Sequence, residues 1–261
     1  QNLNSIGTNS PHSVTVPGAV HAWYSMHQKY GFLDFKELFK TAETYARFGF
    51  PVHEVVSKSW YENINKLGQH PSTNSIFLKN GLSYSYGETH KNIKLADTLK
   101  AIASNGLKDF YEGYIAEDIV KTLNSVGGLH TMDDFAMQKT LFTESLYNSY
   151  KKLKLHQCPP SGPGITVLIM MALLERFNFK NIHPLSSERF HLQAEITKLA
   201  YEQREDNIGD PEFTKFDYKK IIAPDHINNL ISKISMDKIY TPKNSSITAH
   251  PDTIYISVVD K

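Results

Sequence analysis

The stretch Ile247 to Val259 constrains this chain most. Strict alternation puts Thr253, Tyr255, Ser257 and Val259 on one face and Ile254, Ile256 and Val258 on the other. The Ile/Ile/Val face is a core face, so the segment reads as a strand that needs neighbours. Few neighbours exist upstream. Ser13-Val14-Thr15-Val16 reads as a short strand before the Pro17-Gly18 stop, and Leu153, Leu155 and Gln157 alternate with polar residues. The chain is therefore α+β, mainly helical, and reads as part of something larger.

Helical periodicity fills most of the rest. It predicts helices at Ala19–Tyr30, with Gly31 as the stop, and at Phe35–Phe48, ended by Gly49 and Pro51. Val52–Leu67, Ile93–Ser104 and Asp109–Val126 follow, the last broken by Gly127-Gly128. Residues 68–89, rich in Ser, Asn, Gly and Tyr, read as loops and short turns. Thr131-x-x-Asp134 carries the capping pattern that opens a helix. Cys158 to Gly164 is a sharp Pro/Gly loop before a helix at Ile165–Phe177. Ser186 caps a helix at Ser187–Asp206, whose Leu192, Ile196 and Leu199 form one apolar stripe. Lys219–Ile234 is a weaker helix interrupted at Pro224.

Composition excludes several functions. With 28 basic and 27 acidic residues the net charge is +1, without the excess of Lys and Arg that an extended nucleic-acid footprint needs. The longest apolar run, Ile165 to Leu174, is about half the ~20 residues a spanning helix requires. One cysteine excludes an internal disulfide and any Cys-rich metal site. Gln1-Asn2-Leu3-Asn4 has no Met, basic n-region or apolar h-region, so the chain reads as beginning inside a longer protein. Compartment is left open, with a cytoplasmic location slightly favoured over a periplasmic or secreted one.

The chemistry-bearing candidates are few. None of the 12 histidines has ligand spacing, and His21 and His27 fall on different helix faces, so no metal is expected. Ser161 lacks the Gly of a hydrolase elbow, because position 159 is Pro. Its loop is a turn, or an anion cradle ahead of the following helix. Cys158, flanked by proline and without an activating base, reads as a buried or idle thiol. Thr253 opens the polar face of the last strand. A cut between Asp252 and Thr253 would give it a free α-amino group of pKa about 8, a general base for its own hydroxyl.

The motifs, in order, add a resemblance. Asp252-Thr253-Ile254-Tyr255-Ile256-Ser257-Val258-Val259-Asp260 resembles the self-cleavage site of the γ-glutamyltranspeptidase family of N-terminal-nucleophile hydrolases. Val14-Thr15-Val16-Pro17-Gly18-Ala19-Val20, Gly31 through Leu38, Ala42 with Gly49 through Val52, and Phe110-Tyr111-Glu112-Gly113 with Ile115-Ala116 match earlier stretches. So do Gly127-Gly128 with Thr131 and Asp133-Asp134-Phe135, and Pro159-Pro160-Ser161-Gly162. His191, Ala194-Glu195, Lys198-Leu199-Ala200, Arg204 and Gly209-Asp210-Pro211 complete the series.

The resemblance implies a four-layer α-β-β-α sandwich made from two subunits of one precursor. Residues 1–252 would be most of the large subunit and 253–261 the start of the small one, forming a heterodimer after self-cleavage. Thr253 would be the nucleophile, Asp252 and Thr253 the autocleavage pair, and Ser161 and Gly162 a loop near the pocket. The substrate would be a small γ-glutamyl compound, glutathione or a related amide, passed to water or an acceptor amino acid. No metal, cofactor, nucleic acid or membrane span is implied. The family's carboxylate-gripping arginine would precede Gln1, and its oxyanion-hole glycines would follow Lys261. Ile254 and Tyr255 stand where many members have Thr and His, and Pro163 where a second Gly is common. These departures make hydrolysis as expected as transfer. They leave two alternatives: an acylase for β-lactam side chains or poly-γ-glutamate, and an uncleaved, non-catalytic scaffold.

Overall fold

A computed structural model describes residues 6–7, 9–159, 163–210, 213–214 and 217–243. The chain divides into two compact units between Leu141 and Phe142.

In the first unit, α1 spans Ala19–Tyr30, as the periodicity predicts. Val14–Val16 is not a strand. A 3₁₀ turn at Pro11–Ser13, capped by the Ser10 side chain, takes up the chain just before it, and no strand among the described residues pairs with it. The predicted 35–48 helix begins as a 3₁₀ turn at Phe35–Phe39, opened by the Asp34 side chain, and continues as α2, Lys40–Phe48. Gly49 adopts φ +96°, and a Cβ there would meet Thr89 Cγ2 at 2.5 Å. That glycine lets β1 (Phe50–Pro51) pair with Thr89–His90, which is β4. The predicted third helix breaks at Asn63 into α3 (Glu54–Glu62) and α4 (Ile64–Leu67). Residues 68–89 are more ordered than their composition suggests. They hold α5 (Pro71–Phe77) and a hairpin of β2 (Leu78–Lys79) and β3 (Leu82–Ser83). Asn80 and Gly81 turn it with φ of 55° and 79°, the type I′ signature.

Next come α6 (Ile93–Asn105), α7 (Lys108–Tyr111), α8 (Tyr114–Ser125) and α9 (Met132–Ala136). The predicted 109–126 helix is interrupted at Gly113, whose Cβ would crowd the Asp109 backbone at 3.0 Å. The Thr131–Asp134 capping box forms in full. Two of the sequence motifs meet here. The Tyr111 hydroxyl donates to Pro17 O at 2.6 Å and accepts the His21 N–H at 3.0 Å. Tyr111, Val20, Phe39, Ile102, Phe110, Ile115 and Phe135 are buried together. Arg47 bridges Glu43 and Asp97, tying α2 to α6.

The second unit opens with a hairpin of β5 (Leu146–Tyr150) and β6 (Leu153–Gln157). Only β6 was legible by alternation. Helix α10 (Gly164–Leu174) is apolar all round and correspondingly buried, packed on α11, α13 and the hairpin. Helix α11 (Ser187–Asn207) is capped by Ser186, which accepts the Arg189 N–H at 3.2 Å. Its Leu192, Ile196 and Leu199 are buried as the stripe predicts, the latter two in a cluster with Ile165, Leu168, Ile169 and Leu173 of α10. Each such side chain contributes roughly 1.5–3 kcal/mol of burial. The predicted 219–234 helix splits into α12 (Tyr218–Ile221) and α13 (Pro224–Ile231), with Pro224 in the first turn, where its missing N–H costs nothing. The expected strand at 247–259 lies outside the described residues.

Candidate functional site

Helix α11 has a second stripe. His191, Glu195, Lys198 and Glu202 recur at helical spacing, so they share one face. That face receives the segment after α13. His191 Nε2 donates to Ser235 O at 2.7 Å. Glu195 Oε2 accepts the Tyr240 N–H at 2.8 Å, and Lys198 Nζ donates to Tyr240 O at 3.0 Å. Glu195 and Lys198 are themselves ion-paired. The pair thus reads both main-chain groups of one residue, as a neighbouring strand would. Further along, Glu202 Oε2 accepts the Tyr240 hydroxyl at 2.7 Å and Oε1 accepts the Lys243 N–H at 2.9 Å.

Both acids are almost completely buried, Glu195 at 1% and Glu202 at 3% exposure. A buried carboxylate is tolerated only when paired and hydrogen-bonded. Burial raises the pKa of Glu202, but the Lys243 N–H, the Tyr240 hydroxyl and the charges of Lys233 and Lys243 outweigh it and hold the carboxyl below its ordinary value. Burial, reinforced by the Glu202 carboxylate, pushes the Tyr240 phenol up to about 12. Alongside, His226 Nε2 donates to Gln203 Oε1 at 2.9 Å, and burial lowers its pKa. Chemically this is a holder: its carboxylates are occupied by the chain they bind.

Thr253 and Asp252 lie outside the described residues, as do Ser161 and Gly162. The holder fixes Tyr240 and Lys243, upstream of Asp252 in sequence. After them in sequence, α10 begins at Gly164, where a Cβ would meet Cys158 O at 2.9 Å. Cys158 is exposed, not buried. Among the described residues no three His, Cys, Asp or Glu side chains gather as metal ligands would, and no helix is long and apolar enough to cross a membrane.

The sequence model of the gamma-glutamyltranspeptidase family matches residues 1–261. The chain belongs to that family. It is 31% identical over 248 residues to the glutathione hydrolase-like YwrD proenzyme of Bacillus subtilis, covering 95% of this chain and 47% of that protein. It is 29% identical over 254 residues to the Escherichia coli glutathione hydrolase proenzyme, covering 94% and 43%. The chain therefore spans about half the length of these relatives. Among solved structures it is similar to gamma-glutamyltranspeptidase from Pseudomonas nitroreducens complexed with L-DON, with a TM-score of 0.79 and 28% identity, covering 89% and 69%. The α+β, N-terminal-nucleophile hydrolase fold implied by the motifs is the one found, and this chain supplies mainly its helical part.

Sequence reasoning singled out His191, Glu195 and Lys198 as family matches without a role, and passed over Glu202 and Tyr240. The available signal was spacing: two acids seven apart on a long helix share a face.

Proposed function

We propose that the full-length protein is an autoprocessing threonine-nucleophile enzyme acting on γ-glutamyl compounds. The observation that carries this reading is that the family match runs through Asp252-Thr253. The names of two relatives, both proenzymes and both glutathione hydrolase or its like, support it.

In the precursor, Thr253 Oγ attacks the Asp252 carbonyl carbon and its proton passes to the departing nitrogen. The peptide C–N bond breaks and an ester forms. Water then cleaves the ester, leaving the Asp252 carboxylate and a free Thr253 amine. Residues 1–252 and 253–261 thereby fall into different subunits, which stay together as a heterodimer. In turnover the Thr253 amine takes the proton from its own hydroxyl, and Oγ attacks the γ-glutamyl carbonyl. The leaving amine departs protonated, and water or an acceptor amine releases the acyl group. By their match to the family's Pro-Pro-x-Ser-Gly stretch, Ser161 and Gly162 are assigned to a loop near the pocket.

The test is Thr253→Ala and Thr253→Ser in the full-length protein with a γ-glutamyl anilide. The alanine variant is expected to lose self-cleavage and turnover together, and the serine variant to keep part of both. Persistent turnover in Thr253→Ala would overturn the assignment.

A further inference from the structure

We propose that the polar face of α11 is a clamp that positions the precursor for self-cleavage, with Glu195 and Glu202 as its positioning residues. This rests on the reading of Asp252-Thr253 as the cleavage pair.

Three features carry it. The clamp grips main chain: Tyr240 N–H and C=O, Lys243 N–H and Ser235 C=O are all taken by α11 side chains. It spends two buried carboxylates on this, a costly way to hold a segment that already packs on the core through Ile234 and Tyr240. It also holds the chain at Lys243, so residues 244–252 alone link the clamp to Thr253. Loss of Glu202 frees the Lys243 N–H and the Tyr240 hydroxyl, so the last polar grip before the cleavage pair moves back to the Tyr240 main chain.

The clamp acts before the cut and not on turnover. After cleavage the nucleophile belongs to the other subunit, and the clamp holds only the new large-subunit tail. A general folding defect, by contrast, would lower processing and turnover alike.

The test follows full-length precursor made by cell-free translation, with conversion read on gels over time. Turnover of γ-glutamyl anilide is measured per processed molecule. Glu202→Leu is expected to slow conversion more than twofold, with kcat per processed enzyme unchanged. Glu202→Gln keeps Oε1 for the Lys243 N–H and is expected within twofold of wild type. Wild-type conversion in Glu202→Leu overturns the clamp, as does a parallel fall in kcat or a Glu202→Gln variant as slow as Glu202→Leu. Should the leucine variant fail to fold, His191→Phe decides, because it removes the donor to Ser235 O: slowed conversion with unchanged kcat supports the clamp and wild-type conversion overturns it. Thr253→Ala separates the two readings. A wild-type precursor that never cuts at Asp252-Thr253 removes the proposed function and the clamp together. A cut that Thr253→Ala abolishes but Glu202→Leu leaves at wild-type rate removes the clamp alone.

Discussion

The Tyr240 hydroxyl donates to Glu202 Oε2 at 2.7 Å, while the other oxygen of the same carboxylate holds the Lys243 N–H at 2.9 Å. One buried side chain therefore fixes both a side chain and the main chain of the segment leading to Thr253.

That relationship sets an alkaline limit. The folded phenol of Tyr240 is raised to about 12 from 10.0, so the fold favours its protonated form. Its contribution is complete below pH 10 and is lost as pH rises through about 12. Thermal unfolding of the chain between pH 9 and 12 is expected to show a falling Tm that flattens in Tyr240→Phe. An identical alkaline fall in the variant would contradict this.

Acid acts on a different residue. His90 is buried in an aromatic box, with Trp60 and Tyr84 rings at 4.9 Å, Phe50 at 5.7 Å and Phe77 stacked at 6.0 Å, and its Nδ1 has no hydrogen-bond partner among the described residues. Burial lowers its pKa from 6.5. The unfolded chain then binds the proton first, so stability is complete above pH 6.5 and is lost as pH falls through the folded value. His90→Phe is expected to reduce the slope of stability against pH below 6.5, read by urea midpoints. An unchanged slope would show that His90 is not its source.

Tyr111 joins two distant motifs through its hydroxyl. Tyr111→Phe leaves Pro17 O and the His21 N–H without it and is expected to cost about 1–3 kcal/mol, measured by urea unfolding. A loss below about 0.5 kcal/mol, the lower end for a net hydrogen bond, would mean that solvent replaces the hydroxyl freely.

Leu168 is fully buried between α10 and its neighbours. Leu168→Ala is expected to destabilise the chain by about 2–5 kcal/mol. A cost under about 1 kcal/mol would mean the cluster collapses into the space.

The long helices were legible because their apolar spacing and caps agree with their packing. Helix α1 begins and ends where Gly18 and Gly31 place it, and Ser186 caps α11. Shorter elements were not, because local signals competed. The polar composition around Asn80-Gly81 hid a hairpin whose turn dipeptide was in plain view. Val14–Val16 has strand-forming residues but no neighbour to pair with among the described residues. Gly113 is extended and interrupts the helix with its backbone so close to Asp109 that an added Cβ would meet it at 3.0 Å, which apolar periodicity cannot report. Within the candidate site, motif order located His191, Glu195 and Lys198. The role of each depended on Ser235 and Tyr240, far along the chain, and no local pattern encodes that contact.

Intact mass of the full-length protein, purified without added protease, reads whether Thr253 becomes an N-terminus. Self-cleavage gives two masses that add up to the precursor plus one water, with Thr253 as the first residue of the smaller species. A single uncut mass from folded protein, or a cut at any other bond, would contradict it.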